Sequence, residues 1–233
     1  MSLVKITLLI VSFLTLLINV YIISFYSLFE SRIIRVITVI AFLVLFFIFK
    51  GFKNKTILIS LLCFLLSDVF MIFYENTLSN KLTSVLSIIG YFNLVAYLFR
   101  NKHLKKVNNY FLVLILILIT LNVFGLYQLI DAIAYKLHDG LQEVILYLYG
   151  LVIVSLCVFT ANYNFSVNTK QSMYFMYFVF GFAFSDFCAV LAYYYNFQQL
   201  YYLDRFTYIF ALFIMVKYAV KDFKKEEIPS YII

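Results

Sequence analysis

Charge is scarce in this chain. Only 12% of its 233 residues are charged, 65% are hydrophobic, and the mean hydropathy is +1.00. An ordinary soluble domain carries about 25% charged and about 45–50% apolar residues. The polar surface is therefore too small to keep a folded chain in water, and intrinsic disorder is excluded by the same composition. Six glycines and one proline, Pro229, exclude a collagen-like fibre. They also weigh against transporters whose helices are interrupted by Gly or Pro at a midplane site. Three cysteines, Cys63, Cys157 and Cys188, all lie in apolar runs. They form neither a disulfide framework nor a CxxC pair and read as small buried hydrophobes.

Long apolar runs make up the rest. A bilayer core of about 30 Å needs about 20 apolar residues per helix, roughly twice the length of a transmembrane strand. Runs bounded by charge or Asn clusters fall at roughly 6–27, 33–49, 56–74, 82–99, 110–130, 141–161, 171–194 and 201–220. The expected fold is all-α, a polytopic membrane bundle of eight transmembrane helices forming a single integral membrane domain over 1–233. The first run is longer than a signal-peptide core and is expected to remain as a helix. With the N-terminus in the cytoplasm, 13 of the 18 basic residues fall on the cytoplasmic side and 5 on the other. That satisfies the positive-inside rule with both termini cytoplasmic, and a bacterial inner membrane is the expected host. The net charge of +7 is then expected on loops facing anionic lipid rather than on nucleic acid.

Two acids break into the spans. Asp68 lies in Phe64-Leu65-Leu66-Ser67-Asp68-Val69 and Asp186 in Phe182-Ala183-Phe184-Ser185-Asp186-Phe187. A carboxyl at such depth costs at least about 2.5–3.5 kcal/mol on insertion scales and normally faces the bundle interior with a partner. A lone acid of this kind is as readily a helix–helix tie as a reactive group. Two identical Ser-Asp pairs 118 residues apart suggest more. A similar offset relates Tyr91 to Tyr208, and the pattern points to two parallel four-helix repeats at about 1–108 and 109–225. Both acids are expected in one layer, roughly 9–12 Å beneath the outer boundary.

Cations share that side. Arg35, one turn into its span, is expected to face a phosphate or an Asp, whereas Arg32 and Arg205 are expected to snorkel to the headgroups. Asp204 and Arg205 open the last helix. Asn93, Asn122 and Gln128 read chiefly as helix–helix hydrogen-bonding groups. Tyr193, Tyr194, Tyr195, Tyr201 and Tyr202 read as an interfacial belt that could also wall a headgroup entrance. His103 and His138 fall on opposite sides, so no three-histidine zinc site assembles. No GxSxG elbow occurs, and Lys217 sits too near a helix end for a retinal Schiff base. No metal or cofactor is expected.

The stretches Leu61 to Met71 and Gly181 to Tyr193 together resemble the YhhN-like lysoplasmalogenase family of eight-helix integral membrane proteins. Arg35-Val36-Ile37-Thr38 is similar to that family's basic-Pro-Leu-Thr element, with valine in the proline place. The family's helix-4 histidine has no counterpart, Asn93 being the nearest polar residue, and Ser67 replaces its helix-3 glycine. The resemblance implies hydrolysis of the vinyl-ether bond of a lysophospholipid, with Asp68 and Asp186 as the acid and water-orienting pair. Arg35, Ser67, Ser185 and Asn93 would contact substrate, and no cofactor would be needed. The alternatives are hydrolysis of another ether or ester lipid, or a non-enzymatic lipid-binding, sensory or proton-coupled bundle whose aspartates are structural or carry protons.

Overall fold

In the computed structural model, which describes residues 3–100, 109–137 and 139–220, the chain is all-helical. Its helices are α1 (Leu3–Phe25), α2 (Leu28–Ile48), α3 (Lys55–Met71), α4 (Thr77–Arg100), α5 (Asn109–Ile133), α6 (Gly140–Val167), α7 (Lys170–Tyr194) and α8 (Leu200–Val220). Five of them, α1, α2, α4, α6 and α7, are long and apolar enough to cross a membrane. At 17 residues α3 is shorter, and α8 carries Asp204, Arg205 and Lys217.

Local chemistry sets the helix ends. The Glu30 carboxylate accepts the Ser27 backbone N–H at 3.1 Å, one half of a capping box. This starts α2 at Leu28, five residues earlier than the apolar run suggests, and places Arg32 and Arg35 inside the helix. Asn54, Asp139 and Thr169 side chains cap α3, α6 and α7 by accepting backbone N–H groups. Asn168, with φ 47°, ends α6 in the left-handed region that asparagine tolerates. The last turn of α3 is followed by turns at 72–75. Asp68 therefore sits in the final turn of α3, nearer its end than the expected span of 56–74 implied.

Large apolar side chains cover the outside of the bundle as well as filling its core. Phe13, Phe92, Leu121 and Phe124 are each about 60% exposed, as lipid-facing residues should be. Arg35, Asp68, Asp204 and Arg205 are buried. The tightest pairings are α3 with α4 and α7 with α8. Beneath the polar end, Phe175, Phe178 and Phe182 stack edge to face toward Tyr208 and fill the centre with Leu94, Leu98, Leu212 and Met215.

Gly181 lets α7 and α8 approach: a Cβ there would lie 3.0 Å from the Ala211 Cβ. Replacing Gly181 with leucine should cost about 1–3 kcal/mol through overpacking and lower the unfolding midpoint in detergent. Gly125→Ala, on α5 with nothing within 4 Å of the new methyl, should leave that midpoint unchanged or raise it.

Candidate functional site

All the buried charges among the described residues gather at the end of the bundle where α2, α4, α6 and α8 begin and α3 and α7 finish. Arg35 is the hub. Its Nε lies 2.8 Å from Asp68 Oδ1 on α3, and its Nη1 lies 3.2 and 3.3 Å from the two Asp204 oxygens on α8. Its guanidinium rests 3.9 Å from the Tyr208 ring centroid, a favourable cation–π position. Asp204 also accepts from Arg205 Nη1 and from Ser185 Oγ, each at 2.5 Å. Arg205 Nη2 donates to the Ser31 carbonyl at 3.2 Å, tying α8 to α2. Two arginines and two aspartates thus balance inside the bundle.

Asp186 stands outside this ion-pair network. Tyr149 of α6 donates to its Oδ2 at 2.6 Å, and Tyr91 of α4 donates to the same oxygen. Among the described residues no cation lies within ion-pair distance of it. Asp68, by contrast, accepts from Tyr208 at 2.5 Å and holds Arg35.

Equivalent contacts recur in the two halves, at offsets of 118 residues between α3 and α7 and 117 between α4 and α8. Tyr208 donates to Asp68 while Tyr91 donates to Asp186. Ser67 bonds Ser87 at 2.8 Å while Ser185 bonds Asp204. Phe64 packs on Tyr91, Phe182 packs on Tyr208, and Phe64 meets Phe182 at 5.1 Å. Each aspartate takes its α4 or α8 tyrosine from the other half.

Asp68 and Asp186 line one open-mouthed cavity, together with Arg35, Ser67, Tyr91 and Tyr149. Tyr193, Tyr194 and Tyr201 line it as well, whereas Ser185 is buried against Asp204 and does not reach it. Asn93 lies elsewhere: it donates to the Thr56 carbonyl and Ser60 Oγ and ties α4 to α3. Asn122 and Gln128 are exposed on α5. His103 and His138 lie outside the described residues.

Arg32 and Arg205 turn inward, contrary to the expected snorkelling. Arg205 is 3% exposed because Asp204 and Ser31 supply the partners that headgroups would otherwise offer. Arg32 packs beside the edge-to-face Tyr74–Tyr193 pair, 5.8 and 5.7 Å from the two ring centroids, and pairs with Glu75 at 2.8 Å. Its hydrogen bond holds the Glu75 carboxyl below its ordinary value. Sequence reasoning left Asp204 at a helix end and gave Tyr149 no role. The Tyr91–Tyr208 offset was the one available signal for the phenol partners.

No family model, curated protein or solved structure matches the chain. The fold and this polar cavity are therefore its defining features: an all-helical chain with several membrane-length apolar helices enclosing paired carboxyls at one end.

Arg35 balances two buried carboxylates, so Arg35→Gln should leave both undercompensated and cost about 3–5 kcal/mol. The loss should appear as a fall in thermal stability in detergent much larger than that of Asn93→Ala. Equal falls in the two variants would contradict the central role of Arg35.

Proposed function

We propose that the chain is an eight-span membrane hydrolase that cleaves the vinyl-ether bond of lysoplasmalogen-type lysophospholipids. The observation that carries the reading is that Asp68 and Asp186, from different halves of the chain, line one cavity while their partners differ in kind. Vinyl-ether hydrolysis requires a proton donor to carbon and a group that orients water, and no covalent nucleophile. Asp186, held by two phenols and no cation, is the donor. Asp68, ion-paired to Arg35, is the carboxylate that orients water.

The chemistry balances with these two groups. Asp186 transfers its proton to the vinyl carbon remote from the ether oxygen, generating an oxocarbenium ion. Water held by Asp68 adds to the carbon beside oxygen, and its proton passes to Asp68. The resulting hemiacetal collapses to a fatty aldehyde and the glycerophospho-alcohol, and the proton returns to Asp186 through solvent in the cavity. Tyr91 and Tyr149 position Asp186, and Arg35 positions Asp68.

The aromatic filling beneath the cavity favours a closed pocket over a carrier, which would need a polar path to the other end. The recurrent contacts support reading the chain as two four-helix halves descended from one unit. The positive-inside count supports cytoplasmic termini and a cavity opening on the opposite side, in a bacterial inner membrane.

Asp68→Asn and Asp186→Asn should each abolish aldehyde release from a lysoplasmalogen in purified, folded protein. Full activity in both would sink the proposal. Tyr149→Phe removes a hydrogen bond that strengthens as Asp186 gives up its proton and becomes charged, worth about 1.5–3 kcal/mol, and should slow turnover by about ten- to a hundred-fold while the protein stays folded. A kcat equal to that of the unaltered protein would show that this bond does not serve the reaction.

A further inference from the structure

Three arginines line the cavity, and they are committed to different degrees. Arg35 and Arg205 hold buried carboxylates, Asp68 and Asp204, whose side chains are 4% and 1% exposed. Drawing either arginine away would leave two buried carboxylates balanced by one cation, which is strongly unfavourable. Arg32 is different. Its side chain is 9% exposed, yet its carboxylate partner, Glu75, is 64% exposed and belongs to the turn between α3 and α4. Both Glu75 oxygens lie 2.8 Å from the same Arg32 Nη1, where the Ile72 carbonyl also accepts at 3.4 Å. An ion pair with so exposed a partner contributes little, because Glu75 regains its hydration on release.

The surroundings of Arg32 favour an anionic visitor. The edge-to-face Tyr74–Tyr193 pair packs against one side of the guanidinium, and both rings line the cavity with Arg32, whereas Glu75 does not. A guanidinium held in place is a preorganised partner for phosphate, whose tetrahedral oxygens accept its parallel N–H groups. Arg35, one helical turn further along α2, already faces two carboxylates and lies under Tyr208.

We propose that Arg32 is the phosphate receptor of the cavity, and that Glu75 occupies its guanidinium until a phosphate-bearing ligand displaces it. The inference rests on reading the cavity as a lysophospholipid site, and it specifies which group anchors the ligand's head and what guards the anchor. A ligand phosphate exchanges a weak, exposed partner for one that enters the cavity, so the buried network of Arg35, Asp68, Asp204 and Arg205 stays intact. A lipid headgroup and the free ion both offer this phosphate chemistry.

Equilibrium binding to the full chain in detergent tests this without requiring turnover. The probes are radiolabelled lysophosphatidylglycerol, the monoacylglycerol of the same acyl chain, and inorganic phosphate. The unaltered protein should bind lysophosphatidylglycerol at least ten-fold more tightly than the monoacylglycerol. Arg32→Gln should erase that preference while leaving monoacylglycerol affinity unchanged, and Glu75→Gln should widen it several-fold. Competition by inorganic phosphate that is lost in Arg32→Gln would identify the free ion as a ligand; its absence, with the lipid preference retained, would assign the site to the headgroup.

Equal affinity for the two lipids overturns the proposal, as does a preference that persists in folded Arg32→Gln. If Arg32→Gln does not fold, Glu75→Gln decides, since its residue is exposed on a turn: an unchanged or narrowed preference overturns the proposal. The two readings separate cleanly. Arg32-dependent binding without aldehyde release counts against the hydrolase alone, and aldehyde release with Arg32-independent binding counts against the receptor alone.

Discussion

The rest of the structure depends on one arrangement, the bridge that Arg35 makes between Asp68 and Asp204. It joins α2 to α3 and α8 in an interior where water cannot compensate a lone charge. Once Asp204 is there, Arg205 and Ser185 complete its coordination, and Ser31 of α2 takes up Arg205. Every member leaves another unsatisfied if removed, so the helix ends are held in register by mutual necessity. Packing supplies the complementary constraint: the apolar centre below is filled by aromatic rings, which confines polar groups to one end of the bundle.

Two similar frames produce two unlike carboxyls. Asp68 and Asp186 each follow a serine, each lie on a helix paired closely with its successor, and each receive a tyrosine hydroxyl from the opposite half. The difference comes from α2 and α6. The former presents Arg35 to Asp68 and the latter presents Tyr149 to Asp186. A cation favours the ionised carboxylate, and a phenol supplies one hydrogen bond without a compensating charge. A single substitution of kind, arginine against tyrosine, thus separates the chemistry available to two residues of the same type. That separation is what acid–base work by a pair of carboxyls requires.

Much of this was legible from the chain alone. Composition and run length pointed to a helical membrane protein, and the structure is all-helical with five helices of membrane-crossing length and hydropathy. Asp68 and Asp186 stood out because an acid is expensive among Leu and Phe, and the structure brings them to one cavity. Asn93 was drawn toward the site only by its place in the chain, and its amide instead ties α4 to α3. Arg32 and Arg205 were misread as headgroup-facing because hydropathy locates a span's end but not the direction in which a long side chain turns. Direction depends on partners, and those partners are 43 residues away for Arg32 and 174 for the Arg205–Ser31 contact.

What the sequence by itself determined was the solvent and the period: apolar runs of helical length, with charge confined to a few positions, dictate helices that must satisfy their own backbone in lipid. It also marked the two acids set within apolar runs, since their cost is a property of the residue and its neighbours in the chain. Only the tertiary structure decided what those acids face. Asp204 became the second carboxylate on Arg35 because α2, α7 and α8 converge on it. The scarcity of charge that sets the chain apart is a local property, whereas the pairing of those charges depends on contacts between distant helices, which periodicity and composition do not encode.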